Sequence, residues 1–95
     1  MNGNILMKEA PEGKHFYFNN GKSAKNLNEL CREIKKMNDE AYSAFVNPTK
    51  NDFYNWINDV LGHKELAISI KRVKKKEIMI NKISSASKPV RKKNN

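Results

Sequence analysis

From Asn26 onward the apolar residues recur at helical spacing, and this periodicity limits the chain to a mainly α fold. Leu27, Leu30, Cys31, Ile34 and Met37 follow i, i+3, i+4, i+7 and i+10. They share one helix face, with Arg32, Glu33, Lys35 and Lys36 mostly outside it. "NDEAYSAFVN" gives a second, short helix. Asn38 caps it, Asp39 and Glu40 place negative charge in the first turn, and Pro48 ends it. Ala41, Phe45 and Tyr42 are expected to turn inward. "TKNDFYNWINDVLG" is the clearest helix: Thr49 or Asn51 caps it, and Phe53, Trp56, Ile57, Val60 and Leu61 form its apolar stripe. Gly62 supplies the stop.

A fourth helix is expected to start at His63 or Lys64. At ~100° per residue, Leu66, Ile70, Val73 and Ile80 fall within one stripe. Lys64, Lys71, Lys75 and Lys82 project from the opposite side, with Arg72, Lys74 and Lys76 flanking the stripe. Glu77 interrupts it, so the core is expected to end near Val73 and the helix to project beyond. Ile68 and Met79 fall on the basic side.

Ahead of Asn26 the pattern is different. Residues 1–14 carry Gly3, Pro11 and Gly13 and read as a flexible leader. "HFYF-NNG-KSA" joins a short aromatic run to an Asn20-Gly21 turn, the signature of a small hairpin. The expected architecture is therefore mainly α. It is a compact three- to four-helix domain over residues 15–83, with a short N-terminal β-hairpin, a basic C-terminal helix and a disordered basic tail from 84 to 95. A chain of 95 residues holds one domain at most.

Charge narrows the partner. Residues 1–62 carry eight Lys or Arg and eight Asp or Glu, whereas 63–95 carry eleven bases against Glu65 and Glu77. The whole net charge of +9 lies in the last third. A solvated helix face usually mixes signs, because like charges three or four residues apart repel. Phosphates would offset both the cluster Lys71, Arg72, Lys74, Lys75, Lys76 and Lys82 and the second cluster Lys88, Arg91, Lys92 and Lys93. These ten residues are the candidate nucleic-acid-binding site. Most are Lys, a point charge suited to phosphate, whereas base reading favours Arg, Asn or Gln. The expected contact is with the backbone of RNA or DNA, on a ribosome or on chromatin, with weak sequence preference.

Other classes fit less well. No run of about 18 apolar residues spans a membrane, and the apolar side of the basic helix lacks the bulky residues of an interfacial one. His15 and His63 have no metal-ligand spacing with Cys31, and Gly21-Lys22 is a turn rather than a nucleotide cradle. No enzyme activity, cofactor or metal is expected. The single Cys31 reads as a core residue in a cytoplasmic protein. The alternative is a protein–protein adaptor with a solubilising basic tail.

The motifs Phe16-x-x-x-x-Gly21-Lys22, Leu27-x-Glu29-Leu30, Met37-x-x-Glu40, Asn51-Asp52-Phe53-x-x-Trp56-Ile57, Val60-Leu61-Gly62 and Leu66-Ala67 cover about residues 16–70. In this order they resemble a family of small, mostly archaeal domains of unknown function. The resemblance implies a compact helical domain and carries no activity. This chain departs from the pattern at Phe45-Val46, where the family has a His-Val pair. The basic extension lies outside the shared region.

Overall fold

The computed structural model describes residues 8–86. The order of elements is β1 (Phe16–Tyr17), β2 (Ser23–Ala24), α1 (Leu27–Lys36), α2 (Asp39–Ser43), β3 (Val46–Asn47), β4 (Lys50–Asn51), α3 (Asp52–Trp56), α4 (Lys64–Ile70) and α5 (Lys76–Ser85). A π-helical turn over Ile57–Leu61 extends α3. The fold is mainly α, with five helices and the N-terminal hairpin.

Local chemistry accounts for the element ends. Asn26, Asn38 and Asn51 each accept a first-turn backbone N–H, capping α1, α2 and α3. Of the two expected caps of α3, Asn51 is therefore the one used. Gly62, at φ 70°, closes the π turn in the left-handed region that a side chain disfavours. β1 and β2 pair antiparallel, Phe16 with Ala24 and Tyr17 with Ser23. The connection between them turns at Gly21, whose φ is 85°. A second hairpin, absent from the sequence reading, pairs Val46 with Asn51 and Asn47 with Lys50. Asn47 Oδ1 accepts from the backbone N–H and hydroxyl of Thr49, a local turn that Pro48 reinforces.

The core gathers the expected stripes. Leu27, Leu30, Ile34, Phe53, Ile57, Leu61 and Ile70 are fully buried. Phe16 meets Phe53 at 5.1 Å and Phe45 at 5.5 Å, and Phe18 meets Phe45 at 5.6 Å, so Phe16 and Phe18 lock the first hairpin onto the middle of the chain. Residues 8–14, read as a loose leader, lie along this core. Ala10 is buried and donates its N–H to Lys25, and the Trp56 indole N–H donates to the Lys14 carbonyl. The Lys8 ammonium meets the Leu61 carbonyl at the end of the π turn, where a cation offsets the negative end of the helix.

Four expectations are corrected. Ala41 is exposed and Tyr42 takes the inward position on α2. The fourth helix is not continuous: α4 stops at Ile70, residues 71–75 turn, and α5 begins at Lys76. A continuous helix would set Lys71 against Lys74 and Lys75, and Arg72 against Lys75 and Lys76. Those four like-charge pairs would cost roughly 1–2 kcal/mol in all, and the turn relieves them. The core, finally, does not end near Val73. The turn brings α5 back against α1, so Met79 and Ile83 are fully buried and Ile80 is partly covered. The helix also runs two residues past its expected end, to Ser85.

Candidate nucleic-acid interface

The break between α4 and α5 sets the geometry of the basic cluster. Lys71, Arg72, Lys74 and Lys75 are exposed on the turn, and Lys76 is half-buried at the start of α5. Residues 71, 72, 74, 75 and 76 are thus brought together on one short connection. Lys82 is exposed as well, but it sits between one and two turns further along α5. The expected common face of Lys64, Lys71, Lys75 and Lys82 does not form, because they belong to two helices and the turn between them. Lys88, Arg91, Lys92 and Lys93 lie outside the described residues, as does most of the expected basic tail.

The turn is held from below. Asn51, which caps α3, also donates its side-chain amide to the Ile70 carbonyl at 2.9 Å and to that of Lys71 at 3.3 Å. One buried asparagine therefore joins the second hairpin, the start of α3 and the end of α4. Lys74 donates to the Asn47 carbonyl at 3.0 Å, and the Lys76 ammonium to the Met37 carbonyl. The Lys71 ammonium lies 5.6 Å from the centre of the Tyr54 ring, a cation–π contact. These contacts are made by the ammonium groups themselves, with neutral carbonyls and a ring face, and leave the charges unneutralised. Among the described residues the ion pairs are Lys25–Glu9, Lys36–Glu33 and Lys50–Asp52, and none involves the turn.

Two concavities flank Lys74. One, of about 310 Å³, is lined by residues of the second hairpin together with Tyr54, Lys71 and Lys74. The other, of about 430 Å³, lies between α2 and the start of α5 and is lined by Asp39, Tyr42, Ser43, Val46 and Lys74 through Glu77. Sequence reasoning missed the contribution of Lys50, Tyr54 and Tyr42, because only the second hairpin and the folded-back α5 bring them beside the basic turn. The Asn47-Pro48-Thr49 run carried a turn signal that would have pointed to that hairpin.

Two side chains have displaced protonation equilibria. Burial pushes the Tyr42 phenol up to about 12, and the nearby Glu77 carboxylate adds to the effect. Its hydroxyl is buried and meets no hydrogen-bond partner among the described residues. Burial also raises the Cys31 thiol, with Lys35 opposing. Cys31 packs as a small apolar residue whose sulfur lies 3.8 Å from the Ile80 carbonyl.

Among the described residues, no helix is long and apolar enough to cross a membrane, and no group of three or more His, Cys, Asp or Glu is placed to hold a metal ion. Comparisons with family models, curated proteins and solved structures give no match for the chain.

Proposed function

We propose that the chain is a non-catalytic, cytoplasmic nucleic-acid-binding protein. It contacts the phosphate backbone of RNA or DNA through the turn between α4 and α5, through Lys82 and through the basic residues that follow. The observation that carries this reading is that five of the six positions from 71 to 76 are basic, sit on one connection and have no acidic partner within an ion-pair distance. Basic side chains on an exposed turn without acidic partners gain nothing for the fold from their charge, and phosphates would neutralise it. Lysine ammonium groups are point charges that contact phosphate without reading bases, so sequence preference is weak.

The test is a titration of the chain against duplex DNA, folded RNA and single strands at 50 and 200 mM salt. Five neutralised phosphates give a slope of about −4.5 in log affinity against log salt, or a loss of roughly 500-fold across that range. Joint replacement of Lys71, Arg72, Lys74 and Lys75 by Ala is expected to flatten the slope and weaken all three ligands alike. No binding at 50 mM salt would sink the reading. The adaptor reading, which expects little salt dependence, would then take its place.

A further inference from the structure

The larger concavity has features that the general charge argument does not use. α5 is ten residues long, and no side chain caps it. The first backbone N–H with an acceptor is that of Met79, which bonds the Lys75 carbonyl, so the amides of Lys76, Glu77 and Ile78 have no partner among the described residues. Unpaired amides at the positive end of a helix dipole favour an anion. Tyr42, which lines the same concavity, supplies the second observation. Tyr42 is only 5% exposed, and its hydroxyl is a buried donor that meets no partner among the described residues. A buried hydroxyl without a partner carries a desolvation penalty that a ligand oxygen would remove.

We propose that this groove seats one backbone phosphate of the bound nucleic acid, held by the first-turn amides of α5, the Tyr42 hydroxyl and the ammonium groups of Lys74 and Lys75. The inference rests on the nucleic-acid reading and says where on the surface a phosphate is fixed rather than merely attracted. The groove also carries Asp39 and Glu77. Three lysines against two carboxylates leave it at +1, and Glu77 is exposed. Glu77 therefore limits the affinity of the seat, and removing its charge strengthens binding.

The experiment uses the intact chain, a short oligouridylate and inorganic phosphate as probes, and three variants. Tyr42→Phe keeps the ring in place and deletes only the unpaired hydroxyl. It is expected to weaken oligouridylate binding by about ten-fold, the loss of one hydrogen bond to a charged group. Glu77→Gln, at an exposed position, is expected to tighten it by about three-fold. In amide-resolved NMR, inorganic phosphate is expected to shift the resonances of Lys76, Glu77 and Ile78 in the wild type, and in Tyr42→Phe to need about ten-fold more phosphate for the same shift. Suppose Tyr42→Phe binds like the wild type while Lys71→Ala with Arg72→Ala loses affinity. The seat is then refuted and the general phosphate reading stands. Failure of the wild type to bind any nucleic acid would refute both.

Discussion

Replacing Met79 with Ala tests the path of the chain beyond Ile70. On a single long helix Met79 falls on the basic, solvated side, and its truncation would cost almost nothing. In the structure it is 0% exposed, packed where α5 returns to the core. Deleting a buried Met side chain loses its transfer free energy and leaves a cavity, together about 2–5 kcal/mol. A domain of this size has roughly 4–12 kcal/mol to lose, so the variant is expected to sit near its folding threshold. The neighbour Ile78 is the internal control. It is 44% exposed, and Ile78→Ala is expected to cost about 1 kcal/mol or less, since much of its apolar surface is already in water. Urea unfolding followed by the fluorescence of buried Trp56 gives both values from one signal. Equal midpoints for the two variants, or a Met79→Ala midpoint within error of wild type, would refute the folded-back α5. The relieved-repulsion account of the helix break would fall with it.

Three further outcomes are expected. Asn51→Ala removes a helix cap and strands two carbonyls, so a loss of about 2–4 kcal/mol in urea unfolding is expected, with Asn51→Asp recovering only the cap. Tyr42 has a folded-state pKa of about 12 against the ordinary 10.0. The folded state therefore holds that proton more tightly, and the stabilisation present below pH 10 is lost as pH rises toward 12. The difference in stability between wild type and Tyr42→Phe should shift across that window, and a constant difference would count against the assignment. Cys31, buried with its thiol equilibrium raised, is expected to react with a thiol reagent at neutral pH only as fast as the domain opens. Immediate labelling of the native chain would show that it is accessible.

The helical core was legible because period and punctuation agreed. The stripes of α1 and of the Phe53–Leu61 segment run at helical spacing. Asn38 and Asn51 cap where their short side chains reach a first-turn amide, and Gly62 takes the left-handed turn. The path after Ile70 was not legible. Neither Gly nor Pro marks the break, and lysine is a good helix former, so local propensity favours continuing. What wins is tertiary: Met79 and Ile83 reach the face of α1, and the stacked charges of residues 71–76 disfavour one rod. This misreading also misplaced the candidate site. The cluster is a knot on a turn rather than a stripe along a helix, and it borrows Tyr42, Tyr54 and Lys50 from segments that looked neutral in sequence. Ala41 and Tyr42 were ambiguous for a simpler reason, since a five-residue helix has too few turns to define a face.

The ring cluster that joins β1 to α3 has a consequence for the order of events at synthesis. Phe16 and Phe18 leave the ribosome first, yet the rings they bury against, Phe45, Phe53 and Trp56, follow up to about forty residues later. At roughly 5–20 residues per second, that leaves the first hairpin without its partners for about 2–8 seconds. Two strands of two residues each have no stability of their own. The nascent chain must therefore wait, aromatic side chains in water, until α3 emerges and the two ends of the cluster condense together.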